Sequence, residues 1–188
     1  MTYLEDTTET RQKRTHTMAT GLSSMVLQIR KESIKQSLSD FNTIGHRQEY
    51  IGTIDGVMYY DDSRAENVNA TWFTFENIVS PVIWIAGGNN NGSDFKELKG
   101  IAKKKVKAMI CVGSNNSKLK KALQKDIKEI YEADDLIAAV KAAAILAKED
   151  DIVLFSPACK SENSDETFVD RGIIFTETVK QLENELHQ

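Results

Sequence analysis

Long apolar runs are missing from this sequence. No stretch approaches the roughly 20 residues that a helix needs to span a bilayer. The opening "MTYLEDTTETRQKRTHT" is polar throughout and lacks the apolar core of a signal peptide. Sulfur and imidazole are scarce. The two cysteines, Cys111 and Cys159, each lie in or beside an apolar run, which reads as buried, reduced thiols of a cytosolic protein rather than a disulfide. The three histidines, His16, His46 and His187, are scattered without metal-ligand spacing, so no metal site is expected. Positive charge is not in excess: the net charge is −4, and no broad basic surface argues for nucleic acid. A Gly-x-x-x-x-Gly-Lys-Ser/Thr loop, which would offer backbone N–H groups to phosphate, is absent even in close variants.

What is present is an ordinary globular composition. The chain has 188 residues, 40% hydrophobic and 28% charged, enough for one domain with a short appendage. Residues 1–15 are charged, threonine-rich and aperiodic, and are expected to be a disordered tail. Leu22, Met25, Val26 and Ile29 then follow helical steps, which predicts a helical segment over 16–40. "QEYIGTI" and "VMYYDD" flank Asp55-Gly56, a type I′ hairpin signal. In "ENVNATWFTFENI" and the residue after it, Val68, Trp72, Phe75 and Val79 mark one helix face.

From there the chain alternates. "PVIWIAGG", "VKAMICVG", "IKEIYEA" and "DIVLFSPA" read as strands. The segments between them read as helices, opened by Asp94, by Asn116 or Ser117, and by the acids at 134–135. The last segment reads as mostly helix, with Gly172 within it costing some helicity and leaving both an unbroken helix and a break open. Buried strands separated by helices predict an α/β fold: an open, mostly parallel, Rossmann-like sheet with helices on both faces, plus the N-terminal helix and β-hairpin. The working site of such a sheet lies at the carboxyl ends of its strands, and "DDSR" joins them if the hairpin lies in the sheet.

Four stretches, "HRQEYIGTIDGVMYYDDSRAENVNATWFTFENI", "PVIWIAGGNNNGSDFKEL", "VKAMICVGSNNSKLKKAL" and "VLFSPACKSENSDETFVDRG", occur in this order. Together they resemble the C-terminal domain of the Mur ligase family, in its D-glutamate-adding branch. The helix at 16–40 resembles the end of that family's central domain, and residues 41–188 its C-terminal domain. The resemblance implies an ATP-dependent ligase that activates a UDP-linked muramoyl carboxylate as an acyl phosphate in bacterial peptidoglycan synthesis. It also implies ATP and Mg²⁺ in the complete enzyme, and ATPase and UDP-binding domains on missing sequence as partners. Without a P-loop, this chain is not expected to catalyse alone, and no catalytic residue is assigned to it.

Site residues follow from the same resemblance. Arg47 and Asp62 match positions beside the ATP ribose, where guanidinium donates and carboxylate accepts. The alternatives are a surface arginine and an acid at a helix N-terminus. Arg64 replaces the family lysine, keeping charge but changing shape. Glu66 replaces a threonine, and would repel an anionic amino acid. Asn91 stands where a lysine is usual, removing a cation from the glutamate site. The alternative for "GGNNNGSD" is a flexible turn before a capped helix. Ser161 and Phe168 match residues that hold the amino acid; a turn cap and a core aromatic are the competing readings. Three functions remain open: a fragment of a D-glutamate-adding ligase, a binding or regulatory module that has lost glutamate chemistry, and a freestanding domain without ligand.

Overall fold

The computed structural model describes residues 45–79, 81–89 and 92–186. The expectations for 1–15, for the helix at 16–40 and for Asn91 lie outside the described residues. The hairpin pairs β1 (Glu49–Ile54) with β2 (Val57–Asp61), antiparallel. Its turn has Asp55 at φ 48° and Gly56 at φ 75°, the two positive values a type I′ turn requires. Then come α1 (Val68–Asn77), β3 (Val82–Gly87), a 3₁₀ turn (Phe95–Leu98), α2 (Lys99–Lys105), β4 (Val106–Val112) and α3 (Ser117–Leu123). β5 (Glu129–Ala133), α4 (Leu136–Leu146), β6 (Ile152–Phe155) and α5 (Phe168–Leu186) complete the order.

The six strands form one sheet in the order β1-β2-β6-β3-β4-β5. β2 pairs β6 in parallel, as do β6 with β3, β3 with β4 and β4 with β5. The hairpin is therefore part of the sheet, and the end of β2 joins the carboxyl edge. Successive residues of β3 face opposite ways, as the pleat demands. Val82, Trp84 and Ala86 enter a core with Phe75, Leu98 and Leu119. Ile83 and Ile85 enter a second core with Val140, Phe155 and Phe175. Helices thus cover both faces.

One local expectation is corrected and one open point is decided. α1 ends at Asn77 and buries Val68, Thr71, Thr74 and Phe75, while Trp72 is 41% and Val79 92% exposed. Threonine hydroxyls, not further apolar groups, face the sheet there. α5 runs unbroken through Gly172, because that residue is buried against the hairpin side. Asp94 and Asp135 cap as expected, accepting from the N–H of Lys96 and Ala138. Asn116 caps nothing with its side chain; its amide donates to Gly113 O instead.

Candidate functional site

Parallel strands bring their carboxyl ends to one edge, so Asp61, Gly87, Val112, Ala133 and Phe155 lie along a common rim. Asp62 N–H still bonds Phe155 O at 2.8 Å, and the chain then leaves the sheet for α1. Asn67 caps that helix, its Oδ1 accepting from Ala70 N–H at 2.9 Å.

Between strand and helix sits a knot of buried polar groups. Asp62 is 1% exposed. Its Oδ2 accepts from Thr74 Oγ1 at 2.6 Å and Ser156 Oγ at 2.8 Å, and its Oδ1 accepts from Gln48 N–H at 3.3 Å. Thr71 Oγ1 lies 2.9 Å from Ser156 Oγ and extends the network into α1. Burial outweighs these bonds and pushes the Asp62 carboxyl up to about 6. The carboxylate thereby ties together the residue before β1, helix α1 and the residue after β6.

Asp61 is 0% exposed and accepts from Ser63 N–H at 2.8 Å. Its Oδ2 lies 2.7 Å from His46 Nδ1. Burial raises its carboxyl as well, with the His46 bond opposing. His46 meets Phe168 edge-on at 6.3 Å, and the exposed Arg64 guanidinium stands 5.1 Å over the same Phe168 ring. A cationic and aromatic platform therefore sits at the start of α5, with the half-buried Arg47 next to His46 in the chain.

The buried Arg171 on α5 is the larger surprise. Its Nη2 donates to Glu66 Oε1 and to Cys159 O, each at 3.2 Å, while its Nε is buried without an acceptor. Burial lowers its basicity, and Glu66 counteracts that. Glu66 is thus neutralised by a guanidinium rather than left to repel an anion, a correction to the sequence-based expectation. Cys111 and Cys159 are free and buried, and burial pushes their thiols up to about 12 and about 11. Neither is a nucleophile at neutral pH.

The glycine turn after β3 is not a loose linker. Gly87 and Gly88 hold φ of 136° and 130°. A Cβ on Gly87 would lie 2.3 Å from Val112 O, and one on Gly88 2.2 Å from Lys160 O. Asn89 pairs with Lys160 across this contact. In the loop after β6, Ser161 Oγ bonds the Glu166 carboxylate. Glu162 fills the turn after β4, its Oε1 accepting from the N–H groups of Ser114 at 3.1 Å and Asn115 at 3.2 Å.

Two cavities flank this loop. One, of about 310 Å³, is lined among others by Gly88, Gly113, Ser161, Glu166 and Arg171. The other, of about 610 Å³, is lined by Glu66, Asn67, Asn89, Asp94, Glu97 and Lys160 among others. Against this geometry, the sequence profile described as "Mur ligase, glutamate ligase domain" matches residues 46–159. The chain belongs to the Mur ligase family.

It is 38% identical over 165 residues to a UDP-N-acetylmuramoylalanine–D-glutamate ligase of Christiangramia forsetii, covering 88% of this chain and 37% of that protein. A ligase of the same name from Salinibacter ruber is 34% identical, covering 89% of this chain and 36% of its own length. The chain thus spans little more than a third of these relatives. Among solved structures, MurF ligase from Thermotoga maritima in complex with ADP matches with a TM-score of 0.50 and 17% identity, over 75% of this chain and 33% of that one. That likeness speaks for the fold alone.

The Mur-ligase fold brings some of the expected residues together and separates others. Arg64 and Phe168 stack. Glu66 and Ser161 line different cavities, with Arg171 lining one and bonding the residue that lines the other. Arg171 lies inside the stretch "VLFSPACKSENSDETFVDRG" that carries part of the resemblance, where nothing marks it as a site residue. Its partnership with Glu66, 105 residues away, has no local signal. Neither has the Thr74–Asp62–Ser156 network. As for the family's nucleotide and metal, Arg47 and Arg64 suit an anion. Asp62 is enclosed by protein donors, and the P-loop that would hold Mg²⁺ is not in this chain.

Proposed function

We propose that this chain is the C-terminal domain of an ATP-dependent ligase that joins D-glutamate to UDP-N-acetylmuramoyl-L-alanine in peptidoglycan precursor synthesis. It acts with ATPase and UDP-binding domains carried on other sequence. The observation that carries this reading is the 38% identity, over nearly nine tenths of the chain, to a ligase of that name. The chemistry of the rim supports it. Arg47 and Arg64 supply permanent cations on the side assigned to nucleotide phosphate and ribose. Ser161 supplies a hydroxyl, and Arg171 a buried guanidinium with an unfilled donor, for an amino-acid carboxylate. ATP and Mg²⁺ would form the acyl phosphate on the other domains; this one would position the incoming amine and exclude water.

A domain exchange tests the reading. Residues 45–188 replace the C-terminal domain of the C. forsetii ligase, and D-glutamate-dependent ADP release is measured. A turning-over chimera is expected, while this chain alone releases no ADP. A folded but inactive chimera favours the second reading, a module that keeps the fold and has lost glutamate binding. The specific observation on that side is the commitment of Glu66 to Arg171 where the family has threonine. In that case Glu66→Thr together with Asn91→Lys is expected to restore turnover in the chimera.

A further inference from the structure

Beside the rim, the structure gathers three residues that the sequence spacing hid. His46, Glu49 and Asp61 bring one ligand atom each to within 4.8 Å of one another. We propose that they form a binding site for a first-row divalent cation, with Zn²⁺ as its best-matched probe.

Charge is the first argument. Two carboxylates meet one imidazole, and among the described residues no lysine or arginine donates a hydrogen bond to the buried Asp61, the Arg171 guanidinium acting on it only through its charge. A buried carboxylate without full counter-charge is costly, and a divalent ion offsets both acids at once. The donor set is the second argument. One imidazole nitrogen with two carboxylate oxygens is a borderline set that suits Zn²⁺ and Mn²⁺ better than the all-oxygen shells of Mg²⁺ or Ca²⁺. Three protein ligands leave a fourth position open for water or substrate.

Access and preorganisation are the third. The backbone holds His46 at φ 64°, and its N–H donates to Glu49 Oε2 at 2.7 Å, so the carboxylate is already turned toward the imidazole. Glu49 is exposed and His46 partly so, which leaves a route from solvent. On the opposite side the cluster is closed by Gly172. A Cβ there would stand 2.3 Å from His46 Nδ1 and 2.6 Å from both Asp61 Oδ2 and Ser63 Oγ. Three polar atoms therefore converge on a spot that any side chain would fill, and Ser63 Oγ is buried with no hydrogen-bond partner.

Without an ion, Nδ1 and Oδ2 share a hydrogen bond at 2.7 Å. Tetrahedral bonds of about 2.0–2.1 Å put ligand atoms about 3.3 Å apart. Binding thus needs a shift of several tenths of an ångström and moves the imidazole proton to Nε2. The proposal does not rest on the proposed ligase role.

Titration calorimetry of Zn²⁺ into the full chain at pH 7 tests the proposal. One equivalent is expected to bind with a micromolar Kd. Glu49→Gln, which leaves the His46–Asp61 bond intact, is expected to weaken it at least tenfold, and His46→Gln a hundredfold. Co²⁺ is expected to broaden the NMR signals of His46 and Gly172 first. No binding at millimolar Zn²⁺ overturns the site, as does binding that both variants leave unchanged, which would belong to His16 or His187.

Discussion

At the scale of single residues, Asp62 carries a pH signature. Its folded pKa, about 6, lies above the ordinary 3.8. A raised carboxyl binds its proton more tightly in the folded than in the unfolded state. Its contribution therefore favours folding below about pH 4 and is lost as pH rises through 6. At about 1.4 kcal/mol per pKa unit this amounts to about 3 kcal/mol. Asp62→Asn keeps an acceptor for Thr74 and Ser156 and removes the titration. Urea midpoints between pH 4 and 7 are expected to fall less for the variant than for the wild type; parallel curves would show that Asp62 ionises freely. Arg171 gives a second test. Glu66→Thr strips the buried guanidinium of its carboxylate and is expected to cost about 1–3 kcal/mol in urea unfolding. An unchanged midpoint would show the pair to be idle.

At the scale of elements, two glycines decide where chains can touch. In Gly88→Ala the new methyl would meet backbone, Lys160 O, at 2.2 Å, and the φ of 130° is itself strained for alanine. A loss of about 3 kcal/mol or more is expected in thermal or urea unfolding. Gly172→Ala gains about 1 kcal/mol of helix propensity. It also drives a methyl into His46 and Asp61, so a net loss is expected, with the His46 ring resonances displaced. A more stable Gly172→Ala with an unmoved His46 would refute the close packing. These glycines were legible as residues but not as contacts. "GGNNNG" reads equally well as a flexible turn, and Gly172 as a helix break, because sequence carries no record of the strand or helix lying opposite. The face of α1 failed for a related reason: Thr71 and Thr74 are polar in composition, yet buried because Asp62 and Ser156 await their hydroxyls.

At the scale of the whole molecule, both thiols lie under the sheet's helical cover. An aromatic disulfide reagent is expected to leave Cys111 and Cys159 unmodified in the native protein and to label both on unfolding. Rapid labelling of the native protein would mean that the core opens readily. The α/β class, the Asp-Gly hairpin, the order of strands and helices along the chain and the family were all determined by the sequence itself. They depend on periodicity, turn chemistry and motif order, which are local. The tertiary structure alone decided that the hairpin joins the sheet beside β6, which carries Asp61 and Asp62 to the carboxyl rim. It also decided that Glu66 answers to Arg171, and that His46, Glu49 and Asp61 share one spot. Those are pairings across turns, strands and helices, and the energy that selects them, burial of charge beside its partners, exists only once the elements have met.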